Sequence, residues 1–128
     1  MLSDFNLDGA LDLVVVNRWD KAEIWRNTIK NNWLQIKILQ PGGNRNAIGS
    51  WIELKLENQT ILRREITIGG GHASGHLGWT HFGLGTNKTA QIRIQYPNAN
   101  WSDWQPVSSN QFYHFERNQA PKQWTPKR

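Results

Sequence analysis

Along most of this chain, apolar and polar residues alternate with a period of two. Leu34, Ile36 and Ile38 alternate with Gln35 and Lys37. Ile52, Leu54 and Leu56 alternate with Glu53 and Lys55, and Ile92 and Ile94 with Arg93 and Gln95. Each run predicts a strand with one buried face. Leu62, Ile66 and Ile68 predict a fourth such face, broken by Arg64, and Tyr113 and Phe115 mark a last strand. Residues 11–16 differ: LDLVVV is nearly continuous apolar sequence, as in a strand covered on both sides. Only residues 19–29 have helical spacing, and their β-branched and aromatic residues suit a strand equally well.

The punctuation agrees with an all-β chain. Glu57-Asn58-Gln59 reads as a hairpin turn; Pro41–Asn44, Thr86–Lys88 and Pro97–Asn100 read as loops. Strands about ten residues apart with such turns predict an antiparallel β-sandwich or a barrel-like domain. The polar stretch 118–128, with two prolines, predicts a flexible tail. No unit repeats, so this chain is not a complete propeller or solenoid.

Composition adds bounds. The 128 residues suit one domain with a fragment of another, and eight Trp supply apolar area that a 38% hydrophobic content otherwise lacks. The absence of Cys excludes disulfides and thiolate metal sites. No apolar run is long enough for a membrane-spanning helix. Nor does the N-terminus read as a signal peptide, so an export signal would lie outside this chain. The net charge is +5, but Lys and Arg are scattered rather than run together, so no nucleic-acid partner is expected.

Candidate chemistry begins with DFNLDGALD, residues 4–12. Calcium takes several oxygen ligands at about 2.3–2.6 Å. Asp4, Asn6 and Asp8 offer side-chain oxygens at alternate places, Ala10 its carbonyl, and Asp12 the ninth place, while Gly9 permits the turn. Val15 stands where an EF-hand needs a bidentate Glu, and the flanks are not helical, so the loop is not an EF-hand. The expected role of calcium is structural.

Other patterns are weaker. His72, His76 and His81 could ligate zinc, but the surrounding glycines oppose the helix that would gather them. In GHASG, 71–75, Ser74 is misplaced for a nucleophile elbow. No other constellation suggests a nucleophile with its base, and no enzyme is expected. Trp101 and Trp104, beside Asn98, Asn100 and Asp103, form a candidate ligand-binding patch of the kind that stacks on sugars. Trp33 and Trp51 lie in or beside strands and read as structural.

The loop with its strand, DFNLDGALDLVVVN, resembles the repeat of FG-GAP (integrin-α-like) propellers, also called VCBS repeats, and Ile24–Asn27 resembles that repeat's closing strand. Residues 32 to about 116 resemble the ASPIC/UnbV domain, which follows such repeats in bacterial secreted proteins and in the animal cartilage acidic protein family. Asn44–Ser50 resembles N-R-x-G-I-G-A, His81–Gly85 matches H-F-G-L-G, and Ile92–Asn98 resembles V-x-V-x-W-P-S/N-G. Ala47 and Ser50 replace a usual Gly and Ala, and Tyr96 replaces Trp. The resemblance implies the end of a propeller repeat over 1–30 and an ASPIC/UnbV-like β domain over 31–117. It further implies a non-catalytic binding or adhesion module of a larger calcium-binding protein, outside the cell, at its surface or in the periplasm, with an extracellular protein or glycan as partner. A carbohydrate-binding domain using exposed Trp, or the accessory domain of an enzyme, are the alternatives.

Overall fold

A computed structural model describes residues 1–70 and 74–126. All its regular elements are strands, and no helix among the described residues is long and apolar enough to cross a membrane. Three short strands open the chain: β1 (Leu2–Ser3), β2 (Asp12–Val15) and β3 (Glu23–Trp25), in the order β1-β2-β3. Thus the apolar run predicts a strand correctly, and within 19–29 the regular element is the short strand Glu23–Trp25 rather than a helix.

Two four-stranded sheets follow. The first contains β5 (Trp51–Leu56), β6 (Ile61–Glu65), β10 (Thr89–Gln95) and β11 (Gln105–Ser108), ordered β11-β10-β5-β6 and wholly antiparallel. The second contains β4 (Asn32–Leu39), β9 (Thr80–Gly85), β12 (Gln111–Glu116) and β13 (Lys122–Trp124), ordered β13-β12-β4-β9. Here β12 runs parallel to β4, with Tyr113 opposite Ile36. A glycine-rich ribbon pairs β7 (Gly69–Gly70) with β8 (Ser74–Gly75). The fold is all-β and sandwich-like, as the alternation predicts, but mixed rather than purely antiparallel.

The alternating apolar residues build the core between the two sheets. Leu34, Ile36 and Ile38 of β4 and Phe82 and Leu84 of β9 meet Ile52, Leu54 and Leu56 of β5 and Ile92 and Ile94 of β10. Each fully buried aliphatic side chain contributes roughly 1.5–3 kcal/mol over its exposed state. The predicted Leu62–Ile66–Ile68 face is only partly real. β6 ends at Glu65; Ile66 enters the core, whereas Ile68 is exposed. The tail expectation also needs correction. Residues 122–124 pair with β12, and Trp124 joins Trp79, Phe112 and the stacked His114 in an aromatic cluster on the outer side of the second sheet. Burial of those rings outweighs the flanking prolines.

The turn at Asn44–Ser50 shows what its two departures from the family pattern do. Ala47 sits in the left-handed region, φ 51°, where glycine is usual. The Ser50 hydroxyl is fully buried without a hydrogen-bond partner among the described residues. A buried, unsatisfied hydroxyl destabilises. Ser50→Ala is therefore expected to raise stability by about 1 kcal/mol, read as a higher urea midpoint at unchanged slope. A lower midpoint would show that the hydroxyl has a partner.

Candidate functional site

The acidic loop folds on itself through its own side chains. Asp4 is 8% exposed; its Oδ1 accepts from the Asp8 N–H at 3.0 Å and its Oδ2 from the Gly9 N–H at 2.9 Å. Asn6 Oδ1 accepts from the Asp8 N–H at 3.1 Å, and Asp8 Oδ1 from the Ala10 N–H at 3.0 Å. Asp12, 3% exposed, takes the Phe5 N–H at 3.2 Å and the Asn27 N–H at 2.9 Å, which ties the ends of β2 and β3 together. These are the side-chain turns that Asp and Asn favour. Gly9, at φ 91°, makes the bend.

The loop is also held by the sandwich. Gln35 of β4 donates to Asp4 Oδ2 at 2.6 Å. His81 Nε2 lies 2.9 Å from the Gly9 carbonyl, so that nitrogen carries the proton and donates. The Trp33 indole lies against Gly9 so closely that a Cβ there would sit 1.8 Å from the ring. Trp33 is itself fixed by the edge of Phe112, 4.9 Å between centroids. Sequence reasoning read the loop's turn from its Asp, Asn and Gly residues but did not link Gln35 or His81 to it.

The electrostatics of the loop are uneven. Burial raises the Asp4 pKa above its ordinary value, although the Gly9 and Asp8 N–H groups pull it back. Asp8 is held low, chiefly by the Ala10 N–H, with help from Asn6 and Arg26. Burial lowers the pKa of His81, which favours the neutral ring. The buried carboxylates of Asp4 and Asp12 are met by neutral amide donors, whereas the Arg26 guanidinium lies 3.4 Å from Asp8. Among the described residues, no three His, Asp or Glu side chains are gathered as a metal-binding group. Any cation here would also draw on Asn6 and the Ala10 carbonyl.

Trp101 and Trp104 do come together, but not as bare platforms. The Arg93 guanidinium lies over both rings, 4.7 and 4.5 Å from their centroids. Lys55 covers Trp104 at 4.9 Å, and Arg63 reaches Trp101 at 5.8 Å and Trp51 at 5.9 Å. Indoles and cations thus alternate along the outer face of the first sheet. Beneath them Glu53, 1% exposed, accepts from Nε of Arg63 and Nε of Arg93, both at 2.7 Å. Cation–π contact engages ring surface that a sugar would otherwise use.

His76 and His81 have separate partners. His76 Nε2 meets the Trp79 carbonyl at 3.1 Å and His81 meets Gly9, while His72 lies outside the described residues. The Ser74 side chain likewise lies outside them.

Comparison with known proteins supports the ASPIC/UnbV part of the motif reading. No curated protein and no solved structure matches the chain. The profile described as ASPIC and UnbV matches residues 40–122, well over half of the sequence. The alternating strands β5 and β10, the N-R-x-x-I-G turn and H-F-G-L-G all fall within that match, β4 lies just before it, and the chain therefore belongs to the ASPIC/UnbV family.

Proposed function

We propose that this chain is a non-catalytic binding or adhesion module, the C-terminal part of a larger exported propeller protein. Residues 1–30 would be the end of its last FG-GAP-type repeat. One observation carries this reading. Of the thirteen large apolar side chains exposed among the described residues, nine fall between Met1 and Ile29. Four of the nine, Leu2, Leu13, Ile24 and Trp25, lie in the β1-β2-β3 sheet, and with half-buried Val14 they make both its sides apolar. Leu2, Leu13 and Trp25 are paired neighbours on one side, and Val14 and Ile24 on the other. A sheet apolar on both sides needs a layer against each, and a blade between neighbouring blades has both. Reading the codons upstream of Met1 tests this: further D-x-N-x-D-G units are expected, and an in-frame stop there would sink it.

In the same reading the DFNLDGALD loop holds calcium for structure, through Asp4, Asn6, Asp8, Ala10 and Asp12. The support is electrostatic. Two buried carboxylates with only neutral partners are costly, and a cation would offset that cost. Calcium at 100 times its Kd is then expected to stabilise the chain by about 2.7 kcal/mol, reversed by chelator. Asp8→Ala should abolish the gain, while the metal-free protein loses only the exposed bonds of Asp8 to Ala10, Asn6 and Arg26. Equal melting curves with calcium and with chelator would overturn the assignment.

A further inference from the structure

Beside the loop, and sharing Asp8 and Ala10 with it, lies a cleft whose Thr28, Lys30 and Asn31 have no role above. It opens between the N-terminal strands and the second sheet, has a volume of about 480 Å³, and reaches from Asp8 and Arg26 past residues 27–33 to Asn110. That size suits a small ligand, and the junction of two structural units is a common place for one. We infer that this cleft binds a carboxylate-bearing sugar, such as one uronic acid unit of an acidic polysaccharide.

Its walls are fixed before any ligand arrives. Asn27 donates to the Leu11 carbonyl at 3.2 Å and accepts from the Ile29 N–H at 3.0 Å. Asn32 donates to the Asn87 carbonyl at 3.0 Å and accepts from Asn110 at 2.9 Å. The Asn110 oxygen in turn accepts from the Trp33 N–H at 3.3 Å. With both ends of each amide engaged, the frame does not need to reorganise on binding.

The rim is the reverse. The side chains of Thr28, Lys30 and Asn31 make no hydrogen bond or ion pair with any described residue. Arg26 has one long contact, 3.4 Å to Asp8, and its side chain is largely exposed. Two cations therefore face one carboxylate, an excess of a single positive charge. That excess matches one carboxylate better than a phosphate or a sulfate cluster. Thr28 and Asn31 can meet hydroxyls, and Trp33 with Ile29 offers apolar surface for the C–H face of a sugar ring. A second cleft of about 250 Å³ shares Asn31 and Trp33 and is bounded by His81 and Gly83, so an adjoining sugar has room. Both clefts are lined by residues between Asp8 and Asn110.

Trigalacturonate is the probe. Titrated into the full chain, it should release heat and shift the Trp33 indole N–H signal. Lys30→Gln and Arg26→Gln should each weaken it about 3- to 5-fold, as expected for one exposed charge contact. Lys30 is solvent-exposed, so its variant keeps the fold; an unchanged spectrum outside the cleft verifies this. The fully methyl-esterified trisaccharide should bind at least as weakly as the double variant. Absence of heat and shift would overturn the proposal, as would equal binding of the neutral ester. Triglutamate binding as well as trigalacturonate would overturn the sugar assignment. Wild-type affinity in Lys30→Gln would remove the cleft as the site.

Discussion

Gly9→Ala is expected to be among the most damaging single changes in this chain, costing about 3 kcal/mol. Two independent effects combine. Gly9 holds φ 91°, where a side chain brings roughly 1–2 kcal/mol of strain. The new Cβ would also lie 1.8 Å from the Trp33 ring, so either the indole or the loop must move. The indole has little freedom, since Phe112 abuts its edge and its backbone pairs with Asn110. The loop is the part that should lift. Lifting breaks the bonds of Asp4 to Gln35 and of Gly9 to His81, both of which reach across to the sandwich. Hydrogen exchange should then show residues 1–30 opening while β4, β5 and β10 stay protected. A double-mutant cycle separates the two effects. In a Trp33→Ala background the clash is gone, and Gly9→Ala should cost only the backbone strain, about 1–2 kcal/mol. An unchanged cost there would mean that the indole does not press on Gly9.

The same site marks where sequence reading stopped. D-x-N-x-D-G announces its own turn, because each Asx side chain bonds to a backbone two to five positions on. Gln35 and His81 lie 31 and 72 positions from their loop partners, and nothing in their local pattern points to a loop. Gln35 looked like the solvent side of an alternating strand. It is buried because a second structural unit covers that side. The alternation of Ile52, Leu54 and Leu56 was legible because the core lies on one side of β5 only. The parallel pairing of β12 with β4 was not, since period two carries no strand direction. Trp124 was misread because polar neighbours and prolines describe the chain around it rather than the ring it buries. Ala47 and Ser50 were visible as departures from a motif; their left-handed backbone and orphaned hydroxyl give those departures a physical meaning.

Glu53→Gln is the second large effect expected. Glu53 lies between Arg63 and Arg93 on adjacent strands, directly opposite each in register. Burial works to raise its pKa, but the hydrogen bonds and charges of the two arginines override that and hold it below its ordinary value of 4.5. The neutral amide keeps the shape and loses the charge, so both guanidinium groups lose their counter-ion. Arg93 is 28% exposed and Arg63 56%, and both can partly recover water contact. The expected cost is therefore about 2 kcal/mol, below the roughly 3–5 kcal/mol of a fully buried pair. The pH dependence is the sharper test. A carboxylate with a depressed folded pKa binds protons more weakly in the fold than in the unfolded chain. Its stabilisation is complete above the unfolded value of 4.5 and is lost as pH falls through the lower folded value. Asp4, with a raised pKa, acts in the opposite direction and becomes less unfavourable as it protonates. Denaturant titrations at neutral pH and below pH 4 should thus show wild type losing its advantage over Glu53→Gln in acid. The variant should also disturb the tryptophan fluorescence, because Arg93 holds its place against Trp101 and Trp104 partly through Glu53. A constant gap between the two proteins across that pH range would show that the carboxylate's charge is not what holds the ladder together.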